Sequence, residues 1–140
     1  MIVRGKADWP SLYERNDMSK KYQIDICNID AKTVKQLEAA GIDVKTGEGE
    51  KAYKERYIIA KADKYRPRVL DRRGDLWDEN VLIGNGSEIK ASVTAFKYNH
   101  KGKDGIGCGL NDLMVTSLVE RSGVDELDPE DDDEEDNDEL

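Results

Sequence analysis

Histidine occurs once in this chain, at His100, and cysteine twice, at Cys27 and Cys108. Structural zinc takes four nitrogen or sulfur ligands. Three scattered candidates with no CxxC pair cannot supply them, so no metal and no other cofactor is expected. Two cysteines without a spacing pattern read as reduced, mostly buried thiols in a reducing cytoplasm rather than as a disulfide framework. No run of about 18 apolar residues occurs, which excludes a membrane-spanning helix. Met1 to Pro10 has no apolar h-region, so nothing suggests secretion. Mean hydropathy is −0.79 and 38% of residues are charged, both on the polar side for a globular protein.

Catalytic patterns are equally scarce. A Ser-His-Asp or Cys-His nucleophile would have to use His100, which lies in a stretch rich in lysine and glycine and is a poor mount for a general base. Gly105-Ile106-Gly107-Cys108-Gly109 lacks the Lys-Ser/Thr of a phosphate loop; its glycines are expected to let a strand curve. The acids near the C-terminus lack the central glycine of a calcium loop. No spaced Asp/Glu set stands out for a nuclease. The chain is therefore expected not to be an enzyme.

What is abundant is charge, and it is segregated. Residues 125–140 hold twelve of the 31 acids and none of the 22 bases, which leaves 19 acids against 22 bases and a net of +3 in the rest. An overall charge of −9 thus hides a mildly basic body joined to a polyanion. The division predicts a folded domain over 1–124 and a disordered acidic tail over 125–140, too charged to bury a core. The tail run Asp131, Asp132, Asp133, Glu134, Glu135, Asp136, Asp138, Glu139 and Leu140 reads as a partner-binding segment that also competes with nucleic acid for the body's positive groove.

Within the body, periodicity gives five or six strands and one short helix. Met1 to Ala7 alternates weakly and is expected to end at Trp9-Pro10. Tyr22, Ile24 and Ile26 share one face of a second strand. Asp30 is a good helix N-cap, Ile29 and Val34 form a hydrophobic staple, Ala31, Val34, Leu37 and Ala40 make one stripe, and Gly41 is a left-handed cap. Tyr53 to Lys61 reads as a strand, as does Val69 to Asp71. Arg72-Arg73-Gly74-Asp75 and Gly84-Asn85-Gly86 read as turns. Glu88 to Tyr98 alternates, with Ile89, Ala91, Val93 and Ala95 inward and Lys90, Ser92, Thr94, Phe96 and Tyr98 outward. Asn99 to Gly105 reads as a hairpin loop before a last strand from Ile106 to Val119. The expected fold is mainly β: an OB-fold-like five-stranded barrel with one short helix. A helix packed on an open sheet is the other arrangement these elements allow.

Single-strand binders combine a positive groove with aromatics on which bases stack, and this chain interleaves the two. One group comprises Tyr53, Lys54, Arg56, Tyr57, Lys61, Lys64, Tyr65, Arg66, Arg68, Arg72, Arg73 and Trp77. A sharper one comprises Phe96, Lys97, Tyr98, Lys101 and Lys103, with Lys90 earlier on the same strand. Phe96 and Tyr98 fall on the solvent side by alternation, where two aromatics call for a ligand; the bland reading is that both rings cap the barrel. The other functional class is a protein-interaction module or inhibitor acting through the polyanionic tail.

The order of several segments resembles the single-stranded DNA-binding proteins of tailed phages, the bacteriophage T7-type group. These segments are Tyr22-Gln23-Ile24-Asp25-Ile26, Arg68-Val69-Leu70-Asp71-Arg72-Arg73-Gly74 and the run from Val81 to Lys90. Phe96-Lys97-Tyr98 and Leu118-Val119-Glu120 follow, with the acidic tail last. The resemblance implies an OB-fold that binds single-stranded DNA in phage replication, recombination and repair, in the cytoplasm of a bacterial host. It implies Phe96, Lys97 and Tyr98 on the DNA face, tail contacts with a DNA polymerase and a helicase-primase, and a possible homodimer. Leu140 stands where the T7-type tail ends in an aromatic ring.

Overall fold

The computed structural model describes residues 1–120. The expected tail, 125–140, and the domain boundary at 124 lie outside the described residues. The elements are β1 (Ile2–Ser11), β2 (Tyr22–Cys27), α1 (Ala31–Ala39), β3 (Lys45–Thr46), β4 (Arg56–Ala62), β5 (Arg68–Leu70), β6 (Glu88–His100) and β7 (Lys103–Ser117). β1 pairs antiparallel with β2 and with β6, β2 with β4, and β6 with β7. A parallel bridge at Lys61↔Gly109 joins β4 to β7 and closes the circuit β1-β2-β4-β7-β6. Five strands closed by a parallel pairing of the third and the last form the OB-fold barrel. β3 adds a short edge to β4, and β5 runs parallel to β7 beyond the end of β4.

Alternation places the core as read from sequence. Val3, Ile24, Ile26, Ile58, Ile89, Val93, Leu113 and Val115 are fully buried inside the barrel. Leu37 and Val34 of α1 join the same cluster. The helix begins where Asp30 accepts a hydrogen bond from the Thr33 N–H at 2.7 Å. Ile29 and Val34 are both buried, as a staple requires. Gly41, at φ 87°, ends the helix in the left-handed region. Ala31 is exposed, so the apolar stripe is narrower than the spacing predicts.

The strand expected from Tyr53 begins only at Arg56, and three further expectations are corrected. Trp9-Pro10 does not end β1: the strand continues to Ser11 through a bulge between Asp8 and Ser11, with Trp9 at φ 48° and its N–H held by the Asn85 side chain at 2.8 Å. The hairpin loop is only Lys101-Gly102, both at positive φ, so His100 is a strand residue opposite Lys103. Ala95 is exposed, because inward burial on β6 stops at Val93. β7 carries a bulge: Ser92 pairs with Asp112 and Val93 with Leu110, leaving Asn111 extra. That bulge switches the buried phase from Cys108 and Leu110 to Leu113 and Val115.

The segment before β4 carries the largest local surprise. Gly49–Lys54 forms a 3-10 turn, and Lys54 is 3% exposed. Its Nζ lies 2.6 Å from Asp25 Oδ2 and 3.2 Å from Asp8 Oδ2. Asp8 and Asp25 are register partners on β1 and β2. The Tyr53 hydroxyl donates to the same Asp8 oxygen at 2.8 Å. Burial alone would lower the Lys54 pKa, but hydrogen bonds and charge from Asp25 and Asp8 outweigh it and hold the ammonium above the ordinary lysine range. Its stabilising contribution is therefore complete below about pH 10.4 and is lost only as pH climbs through that raised value.

Removing one partner of a buried ion cluster typically costs about 3–5 kcal/mol. Lys54→Met is expected to lower unfolding stability by that amount in a urea titration; a loss below about 1 kcal/mol would mean that water reaches the two aspartates. The thiols make a second expectation. Burial, aided at Cys27 by the Asp8 charge, pushes Cys27 up to about 12, and burial pushes Cys108 up to about 11. Stability drawn from keeping both neutral is full below about pH 8.5 and declines above it. At neutral pH an aromatic disulfide reagent should label neither thiol until the protein unfolds, and prompt labelling of native protein would contradict their burial.

Candidate nucleic-acid interface

The 3-10 turn covers the outer surface of β1 and β2 near Asp8 and Asp25, and leaves the rest of the β2–β4–β7 surface open. Outward residues there are fixed by register: Gln23 lies opposite Lys61, Lys61 beside Gly109, Gly107 opposite Phe96 and Gly105 opposite Tyr98. Two adjoining hollows of about 470 and 620 Å³ run along this surface, and both are lined by Lys21, Lys61 and Phe96. The first continues to Lys64, Tyr65, Arg66 and Asn111, the second to Lys45, Ile59, Tyr98 and His100. The outer surface of the second and third barrel strands, flanked by the loops after the first and fourth, is where OB-folds take oligonucleotides.

The glycines of β7 have a spatial role. A Cβ at Gly107 would stand 2.5 Å from Cζ of Phe96, and one at Gly105 would stand 2.5 Å from Cζ and the hydroxyl of Tyr98. Both rings thus rest over backbone that carries no side chain. Their centroids are 6.3 Å apart with planes inclined by 53°, and they are 46% and 48% exposed. The rings therefore do not cap the barrel.

Cations around the groove fall into two sets. Lys45 pairs with Asp43 at 3.1 Å and Arg66 with Glu79 at 3.6 Å, and the Arg66 guanidinium also lies 5.1 Å from the Tyr13 ring centre. Asp63, the acid of the first hollow, is held by Arg15 at 3.4 Å. Among the described residues, Lys21, Lys61 and Lys64 make no ion pair. The groove is an open channel with unpaired ammonium groups and two exposed rings, suited to a flexible polyanion with flat hydrophobic groups.

Of the residues singled out from sequence, Lys61, Lys64, Tyr65, Arg66, Phe96 and Tyr98 are brought together here. Lys101 and Lys103 stand at the exposed hairpin tip beyond Tyr98. Lys97 faces the other side of the same hairpin, opposite Ile106. Arg56 reaches α1, pairing with Glu38 at 3.3 Å. Tyr57 lies under the Lys54 ammonium, 4.8 Å from the ring centre. Arg68 forms a two-pronged pair with Asp112 at 3.3 and 3.4 Å. Arg72, Arg73 and Trp77 line a separate hollow beside Leu118, and the Trp77 indole donates to the Val81 carbonyl at 3.0 Å. Lys90 belongs to yet another hollow, beside Arg4. Sequence reasoning missed Lys21, Lys45, Ile59 and Asn111. The one signal available for Lys21 was its outward parity with Gln23, and that acquires meaning only once β2 is paired with β4.

Residues 30–139 match the family model described as Enterobacter phage Enc34, ssDNA-binding protein. The chain belongs to that family. Among solved structures it is similar to the single-stranded DNA-binding protein from bacteriophage Enc34, at 14% identity and TM-score 0.71 over 90% of this chain and 84% of that one. The same phage protein in complex with ssDNA matches at 15% identity and TM-score 0.67, over 86% of this chain and 87% of that one. The single-stranded DNA-binding protein gp2.5 encoded by bacteriophage T7 matches at 15% identity and TM-score 0.53, over 88% and 90%. At these identities the structural likeness establishes the fold, which is the OB barrel traced above. No curated protein matches the chain in sequence.

Proposed function

We propose that the protein coats single-stranded DNA without sequence preference, holding it in the groove across β2, β4 and β7. The observation that carries this reading is the pair of half-exposed rings, Phe96 and Tyr98, seated over Gly107 and Gly105 beside the unpaired Lys21 and Lys61. Every base has a π-face, so stacking on such rings is tolerant of sequence, and lysines contact phosphates that carry no sequence information. Membership in a family named for ssDNA binding supports the same reading. The work of such a protein is to protect and present single strands during phage replication, recombination and repair in the host cytoplasm. The acidic segment 125–140, with its twelve carboxylates, competes with DNA for the groove and recruits replication proteins such as a polymerase or helicase-primase through basic surfaces on them.

Phe96→Ala and Tyr98→Ala are each expected to weaken oligo-dT binding by about 1–3 kcal/mol. Gly107→Ala should reproduce most of the Phe96→Ala loss, because its methyl group displaces the ring tip, while leaving thermal stability near that of the parent. Wild-type affinity in all three variants, read by fluorescence anisotropy, would remove the rings from the interface.

A salt series on the full chain and on a form ending at Val124 tests the rest. With about four phosphates neutralised, the log–log slope should lie near −3. The shortened form should bind more tightly at low salt. If neither form binds, the DNA reading falls, and an interaction module acting through its polyanion takes its place.

A further inference from the structure

The groove does not use every unpaired cation. Arg4 of β1 and Lys90 of β6 are direct register partners. Like charges directly opposite one another destabilise a sheet, yet neither side chain has an ion pair among the described residues, and neither does Lys6 on the same outward side of β1. The three line a hollow of about 290 Å³ with Asn28 and Thr116. Its two carboxylates are Glu88, which is the register partner of Lys6, and Asp30, which is occupied in capping α1. No aromatic side chain lines it.

We propose that Arg4, Lys6 and Lys90 form a second contact site for the phosphate backbone of single-stranded DNA, reached by a strand that leaves the groove along β6. The proposal rests on the groove being the primary DNA site. β6 connects the two: Lys90, Ser92, Thr94, Phe96 and Tyr98 all point outward, and Lys90 stands ~20 Å from Phe96 along the strand at the usual rise per residue. The surface between carries no unpaired acid among the described residues. Thr94 is hydrogen-bonded to Asn111 at 2.7 Å, and Asp112, opposite Ser92, is neutralised by Arg68. Cations without aromatics hold phosphates but do not stack bases. The second site therefore adds affinity and salt dependence only to strands long enough to reach it.

The test compares the full-length protein with an Arg4→Gln/Lys90→Gln double variant, on a short oligo-dT of about 6 nucleotides and a long one of about 20, chosen around the span of an OB-fold site. The expected result is unchanged affinity for the short oligonucleotide. For the long one, a several-fold loss at low salt is expected, with the log–log salt slope smaller in magnitude by about 1.4. Lys6→Gln should give a smaller loss with the same length dependence. Relief of the like-charge pair should leave the unfolding temperature of the double variant no lower than that of the parent, which separates loss of contact from loss of fold. Equal affinity of variant and parent for both lengths would overturn the second site, as would equal weakening on both. If the parent itself binds neither length, the primary groove reading fails and the second site falls with it.

Discussion

One buried lysine organises the outer surface of this barrel. Lys54 bridges Asp8 and Asp25, which face each other on adjacent strands and would repel if left alone. The arrangement is expensive to desolvate and stays only because each charge meets a hydrogen-bonded opposite. Its structural consequence is to fasten the Gly49–Lys54 turn down on β1 and β2, with Asn28 donating to the Tyr53 carbonyl at 3.0 Å and its own N–H to the Lys54 carbonyl at 2.9 Å. One half of the β2 surface is thereby closed. The other half, from Gln23 across Lys61 to Gly109 and Phe96, remains open.

That open half acquires its character from the hairpin β6–β7. Three glycines at alternate positions, Gly105, Gly107 and Gly109, leave one side of β7 without side chains, and Phe96 and Tyr98 occupy the space. None of the three has positive φ; at Gly105 and Gly107 the rings stand where a Cβ would be, whereas Gly109 has room for one. The change of phase at Asn111 then switches the inward residues from Cys108 and Leu110 to Leu113 and Val115. A single strand thus walls the barrel along both halves and at one end also carries the two rings on its outer side.

Much of this was legible in the sequence because it depends on local pattern. The alternation of Ile24, Ile26, Ile89 and Val93, the Asp30 cap and the Gly41 stop are decided by neighbours along the chain. The outward placement of Phe96 and Tyr98 followed from the same alternation. What was not legible depends on pairing. A bulge is a count of residues on one strand against another, so the continuation of β1 past Pro10 and the extra Asn111 require knowledge of the partner. Lys54 looked like one more surface base beside Tyr53 and Tyr57, since no local pattern distinguishes a lysine that will be buried between two aspartates from distant strands. The glycine run is plain in the sequence, but what Gly105 and Gly107 make room for lies across the sheet in two rings.

The small positive charge of the body understates what its surface can do, because pairing sorts the cations. Arg15, Lys45, Arg56, Arg66 and Arg68 each lie within 3.1 to 3.6 Å of a carboxylate, and Lys54 is consumed in the interior. Exposed pairs of this kind add little to stability, but they cancel field locally. Among the described residues that make no ion pair, Lys21, Lys61 and Lys64 line the groove, and Arg4, Lys6 and Lys90 line the hollow across β1 and β6. On the proposed reading the protein has to hold a single strand and still release it, and a weak net charge with several free lysines along one groove is compatible with both. Phosphate contacts are then numerous enough to position a strand, and salt or a competing polyanion can dislodge it.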